Sequence, residues 1–471
     1  MVLQYSFKQK IKKMKKLQII FISGIILVLI STDIYSQAVK IYGVFRPRME
    51  YLHGYKTLFP EGARPAMFIS QRSRLGLKFS NDRFNVGFSI QNVGVWGETG
   101  TLSKSDIYGT AVHEAWGEVL FSDKFSVKAG RQEINYDDQR IFGAVDWTQQ
   151  ARSHDALLLK IKPNENNKID IGFAYNALGE SLYRMNYMTN NYKTFQYAHW
   201  HGQFNSFGIS VLALNNGMPY ISDDTTSTGN YMEKVAYSQT IGPRLSFKKN
   251  NIKANLGFYY QVGKKTVIRQ SPYDTTMNIR ALYFNIDFYY TIAKMFTVGA
   301  GLEYLSGNDE KAIADNKGVQ ETENAFAPFY GTNHKFNGWM DYFYVGNHFG
   351  SVGLMDIYIP LKFKKDKFTA MVIPHFFSTA ATMYRQEMDD KWQPVYNDDG
   401  TPKMIEPSKG LGTEVDMVAS YSVAKSVTVK AGYSMMFASE SMEYLKNTQK
   451  DKGNTWGWLM LVFKPTFYQS K

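Results

Sequence analysis

The chain of 471 residues contains no cysteine. That absence excludes a disulfide framework, thiolate metal sites and a thiol nucleophile, and it suits an envelope protein spared periplasmic oxidation. After residue 30 there is also no run of 18 apolar residues, so no helix crosses the ~30 Å of a bilayer core. No Gly-rich phosphate loop, internal repeat or low-complexity tract is present, which leaves nucleotide chemistry and solenoid folds without support. Acidic residues are outnumbered, 42 against 54 Lys and Arg, for a formal charge of +12.

Part of that excess lies in one place. Lys8, Lys10, Lys12, Lys13, Lys15 and Lys16 form a basic segment ahead of apolar Leu17–Ile30. Polar Ser31, Thr32 and Asp33 follow, with small Ser36 at the expected cleavage point. The apolar run is too short for a ~20-residue span. Residues 1–36 are therefore expected to be a signal peptide and residues 37–471 a single domain. Losing six lysines and Asp33 lowers the formal charge from +12 to +7.

From residue 38 the dominant period is two. In FNVGFSIQ, Phe84, Val86, Phe88 and Ile90 alternate with Asn85, Gly87, Ser89 and Gln91. Ile252–Val262, Leu282–Tyr290 and Phe296–Tyr304 follow the same scheme, so each is a strand with one apolar and one polar face. Alternation alone also fits a soluble sandwich. The runs reach about ten residues, which matches a tilted membrane-crossing strand better than a soluble one of about five or six.

The connections sort by length as well. Short turns fall at Asn81–Arg83, Ser122–Lys124, Asn164–Asn167, Asn205–Ser206, Lys248–Asn251, Lys364–Lys367 and Ala424–Lys425. Between them, polar loops are expected near 52–66, 97–110, 135–154, 178–193, 215–236, 263–277, 306–350, 378–410 and 439–453. Short periplasmic turns with long extracellular loops define outer-membrane barrels. Tyr51, Trp96, Tyr259, Tyr260, Tyr289, Tyr290 and Tyr304 crowd strand ends and read as interfacial girdles. The expectation is all-β: one transmembrane antiparallel β-barrel of about 18 strands, closed by the run Trp456–Phe463, in the outer membrane of a Gram-negative bacterium.

With the apolar face on lipid, the other side chains line the lumen. Arg46, Arg48, Arg72, Arg74 and Lys78 then point inward, as do Lys128, Lys160, Lys253, Lys362 and Lys430. So do Glu114, Glu118, Asp170, Asp287, Glu303, Asp356, Glu414 and Asp416. Glu414 and Asp416 are expected ~14 Å along the wall from Arg46 and Arg48. Facing charges of opposite sign either steer a charged solute or tie one another into lumenal salt bridges, and the near balance of sign speaks against strong anion selectivity. The eight histidines are scattered. His199 and His201 share a strand face, but two imidazoles are too few for a zinc site and read as girdle residues.

One segment is more patterned. Residues 130–147 read GRQEINYDDQRIFGAVDW, followed by Gln149, Arg152, His154, Asp155 and Ala156. This resembles the corresponding block of the alginate export family of outer-membrane porins, and Thr332–Asn347 (TNHKFNGWMDYFYVGN) resembles a second loop of that family. The resemblance implies a passive pore for polar solutes, saccharides among them, including anionic polyuronates. Its path residues would be Arg131, Arg140 and Arg152 beside the wall residues Arg46, Arg48, Arg72, Arg74, Glu414 and Asp416. Outer-membrane lipid and the solute are the expected partners, with a periplasmic export or envelope partner as a further one. No cofactor, metal, nucleic acid or catalytic residue is expected. The competing readings are a barrel that binds or assembles partners through its long loops, and a barrel hydrolase. Within the block, a bulge is expected at Gly130–Arg131, since Arg131 otherwise faces lipid. The loop 131–155 is expected to fold inward, because Ile141, Phe142 and Trp147 need a surface to bury against.

Overall fold

Alternating faces and short turns put successive runs of the chain side by side. The computed structural model describes residues 37–470 except 108, 184, 188–190, 226–230, 268–274, 345–347, 349–350 and 450–452. The expected signal peptide lies outside the described residues. The wall consists of β1 (Ala38–His53), β2 (Ala66–Ser80), β3 (Phe84–Val95), β4 (Ala111–Ser122), β5 (Phe125–Gln132) and β6 (His154–Asn164). Then come β7 (Asn167–Tyr175), β8 (Thr194–Phe204), β9 (Phe207–Thr225), β10 (Tyr231–Lys249), β11 (Ile252–Val267) and β12 (Thr275–Ile292). Completing it are β13 (Phe296–Leu305), β14 (Leu354–Tyr358 with Leu361–Lys365), β15 (Phe368–Ser378), β16 (Gly410–Ala424), β17 (Val427–Ala438) and β18 (Asn454–Phe463 with Thr466–Gln469).

Each wall strand pairs antiparallel with the next, and β18 returns to β1 through Arg48↔Met460 and Lys40↔Gln469. The result is a closed antiparallel barrel of 18 strands, with no free edge to aggregate. Two strands are interrupted where proline removes a ladder donor. At these breaks Gly299 N donates to Pro360 O (2.9 Å) and Gly43 N to Pro465 O (2.9 Å).

Phe45, Leu75, Phe88, Leu245, Ile286, Phe288 and Leu459 are all exposed on the outer face, as a lipid-facing band requires. Three expectations change. Residues 215–236 and 263–277 are mostly strand, because β9–β10 and β11–β12 continue as paired hairpins to Thr225↔Tyr231 and Val267↔Thr275. Tyr259 is buried and Tyr289 lies on the same inward row through its Lys253 pairing, so neither belongs to a girdle. His199 and His201 also turn inward, bonding Asp137 (3.1 Å) and Ser210 (2.9 Å).

The inner face is not uniformly polar. Leu158, Phe195, Tyr197, Leu212 and Leu214 point inward and are buried, because two loops fold into the barrel and form a core with them.

Candidate functional site

The first of these loops is the patterned segment between β5 and β6. Ile134, Ile141, Phe142, Ala144 and Val145 are all buried, and burying a large apolar side chain is worth ~1.5–3 kcal/mol. Phe142 stacks on Tyr330 at 5.4 Å and tilts against Tyr197 at 4.8 Å. The inward expectation for this loop holds.

What seats the loop is the arginine ladder of β1 and β2. Four successive carbonyls, 146 to 149, accept from it. Arg46 donates to Asp146 O (2.7 Å), Trp147 O (3.3 Å) and Thr148 O (2.9 Å), and its Nε to Gln149 Oε1 (3.1 Å). Arg72 donates to Thr148 O (2.6 Å), to Gln149 O and to Asp146 Oδ1 (2.6 Å). Arg48 reaches Trp147 O (2.6 Å), lies 4.0 Å from the centre of the Trp147 ring and pairs with Glu50 at 2.8 Å. Gln149 closes the seat by donating to Ser70 Oγ (3.0 Å). Each charge-assisted bond is worth roughly 1.5–3 kcal/mol. Such anchoring offsets a strained backbone: Val145, a β-branched residue, has φ 51°, and Asp137, Gln139 and Ala151 also lie in the left-handed region, at ~1–3 kcal/mol each.

The second loop joins β13 to β14, and the opposite sign of charge seats it. Glu414 accepts Met340 N (2.8 Å) and Asp416 accepts Trp339 N (3.0 Å), both from β16. Asp416 also takes Ser434 Oγ, while His375 bridges to Asp356 at 3.0 Å. The two loops then grip each other. Gly143 N donates to Tyr330 O (2.9 Å), Thr332 N to Gln139 O (2.9 Å) and Val145 N to Thr332 Oγ1 (3.1 Å). Gly331 is required here, since a Cβ would sit 2.2 Å from Arg140 O. Trp147 stacks on His334 at 4.6 Å, which bonds Asp341 at 2.8 Å.

The remaining sequence-expected residues divide. Arg140 is buried, donates to Asn337 Oδ1 (3.0 Å), lies 3.5 Å from Glu303 and packs over Tyr283 and Phe336. Arg152 donates to Gly331 O (3.2 Å), and burial lowers its guanidinium below the ordinary value. Arg74 bonds Gln91 (2.7 Å), whose amide holds Gln150 O (2.7 Å). Arg131 stands apart. It pairs with Asp155 at 3.0 Å on the exposed outer rim, and β5 pairs through it without the expected bulge. Gly130 is glycine because its φ is +117° and a Cβ would strike Ala115 O at 2.3 Å. Reading from sequence assigned no role to Gln149, Thr332, Asn337, Asp341 or His375. The first four lie inside or next to the patterned blocks, so their neighbourhood was signalled and their partners were not.

Below the loops the accounting of charge differs. Glu118, Asp287, Glu303, Asp356, Glu414 and Asp416 are buried. Lys40, Lys78, Lys253, Lys362 and Lys464 are exposed, Lys430 is half-buried, and none of the six has an ion pair among the described residues. Lys40 stands directly opposite Lys78, and Lys248 opposite Lys253. Like charges so placed are destabilising in a sheet.

The alginate export family profile matches residues 69–454. Among curated proteins, none matches the chain. Solved barrels with this fold include Pseudomonas aeruginosa OpdK with vanillate (9% identity, 91% of this chain and 99% of that one, TM-score 0.53). OpdO from the same organism has 12% identity over 91% and 98% of the two chains (TM-score 0.55), and OccD3 (OpdP) 13% over 91% and 92% (TM-score 0.52). At these identities the likeness is one of fold.

Proposed function

The chain belongs to the alginate export family and is an outer-membrane porin of a Gram-negative bacterium, and we propose that its lumen conducts anionic solutes of the saccharide class, polyuronates among them. One observation carries this reading: Glu303, Glu414 and Asp416 are buried against the inward loops and Glu118 is neutralised by Lys160 at 2.7 Å, whereas Lys40, Lys78, Lys253, Lys362 and Lys464 remain accessible, with no ion pair among the described residues. Counting residues by sign gives near balance. Counting those a solute can meet gives a positive lumen, which favours anions through the focused field of a low-dielectric wall.

In this reading Arg46, Arg48, Arg72 and Arg140 shape the constriction, and the charges open to a solute in the periplasmic half are lysines. Arg131 lies off the path. A polyuronate, with one carboxylate per ring, would exchange hydration for successive lysine contacts without being held at any one, as conduction requires. No catalytic residue enters the account.

The test is electrical. In planar bilayers under a salt gradient, the reversal potential should show anion preference. A short oligouronate should block the current at lower concentration than a neutral oligosaccharide of equal length. Cation preference, or equal block by both, would overturn the proposal.

A further inference from the structure

At the extracellular mouth lies a cavity of about 660 Å³, walled by β1–β3 on one side and by residues 147–150 and 334–344 on the other. That size falls within the ~300–1,000 Å³ of small-molecule sites. Its chemistry differs from that of the lysine-lined half below. The charges lining it are of both signs and mostly engaged: Arg48 pairs with Glu50 at 2.8 Å, Asp341 accepts from His334 and Tyr55, Glu98 accepts from Val95 N (2.8 Å), and Lys56 lies over two tyrosine rings. No accessible cluster of one sign results, so the cavity has no particular call on a carboxylate.

It offers instead flat apolar surface beside neutral polar groups. Phe68 and Tyr344 line it and are half-buried. The Lys56 ammonium lies between the Tyr55 and Tyr344 rings, 5.4 and 5.5 Å from their centres. The Gln150 side-chain amide and the Tyr344 hydroxyl make no hydrogen bond among the described residues, although both border the cavity. Aromatic faces with a few convergent neutral donors and acceptors suit a ring that is apolar on its faces and hydroxylated at its rim.

We propose that this cavity is an extracellular saccharide subsite, in which a neutral pyranose ring stacks on Tyr344 and Phe68 and bonds the Gln150 amide and the Tyr344 hydroxyl. It rests on the porin reading above and adds to it a neutral, ring-recognising site at the outer end of an anion-attracting lumen. Its floor is the arginine-clamped loop, so a ligand bound here is held above the constriction.

Cellotetraose is the probe. Added to the extracellular side of the full-length porin in a bilayer, it should block the current at lower concentration than when added to the periplasmic side. Tyr344→Ala and Gln150→Ala should each raise the extracellular half-blocking concentration roughly three- to tenfold. Leu182→Ala, on the exposed loop between β7 and β8 and outside the cavity's lining, should leave it where it was. Calorimetry on the detergent-solubilised porin should show the same weakening, which covers the case in which a variant inserts poorly. Equal block from both sides, or block and binding untouched by Tyr344→Ala and Gln150→Ala, would overturn this inference alone. A wild-type porin without anion-preferring current would instead sink the anion-conducting reading beneath it.

Discussion

The two halves of the lumen use charge in opposite ways. At mid-height and above, arginines and carboxylates are buried and committed: those of β1 and β2 to four loop carbonyls, those of β16 to two loop amides. In the periplasmic half, lysines stand exposed and face one another across strands. Residue type therefore does not decide function here. A cation whose donors are spent on carbonyls builds architecture, and a cation whose donors meet water is available to a solute.

The comparison breaks most visibly if the upper half is emptied. Deleting Asp137 to Asp146 removes the apolar anchor Phe142 and the Asp138–Arg244 contact at 2.5 Å. Single-channel conductance should rise severalfold, and liposome swelling should admit larger sugars. An unchanged size cutoff would mean that the loop does not define the constriction.

A smaller effect is expected from Arg72→Gln. The variant keeps some hydrogen bonding but cannot reach Asp146 and the carbonyls together, and each charge-assisted bond lost to a loop carbonyl costs ~1.5–3 kcal/mol. The loop should loosen, giving noisier and larger conductance with anion preference kept. Loss of preference with quiet conductance would assign Arg72 to the solute path instead.

The smallest effect concerns pH. Burial alone would raise the Asp146 carboxyl, but Arg46 and Arg72 outweigh it and hold that group below the usual carboxylate range. An acid depressed in this way contributes stability above its unfolded pKa and loses it only as pH falls through the lower folded value. Conductance should therefore stay constant from pH 7 to 5 and change only below about pH 4. A step between pH 6 and 5, measured in the same bilayer, would show that another group holds the loop.

Much of the barrel was legible in advance because its causes are local. Alternation, strand length and turn spacing are properties of neighbouring residues, so the strand count and the direction of Arg46, Arg72, Glu414 and Asp416 could be read directly. The β9–β10 and β11–β12 hairpins read as loops because the sequence at their far ends, such as residues 222–225, shows no apolar alternation. Beyond the bilayer a paired strand needs no apolar face. What Arg46 and Arg72 do was not legible at all. Their partners are backbone carbonyls some hundred residues away, and a carbonyl has no residue identity to detect. The same holds for Glu414, which holds the Met340 amide. Burial then decided which charges remain for a solute, and sign counting cannot register burial.

The most direct test sets one half against the other in a single measurement, the reversal potential under a salt gradient. One variant carries Lys40→Gln, Lys78→Gln, Lys430→Gln and Lys464→Gln; the other carries Arg46→Gln alone. Division of labour between the halves predicts that the lysine variant loses most of its anion preference while Arg46→Gln retains it. Retention in the lysine variant, with loss in Arg46→Gln, would contradict the account.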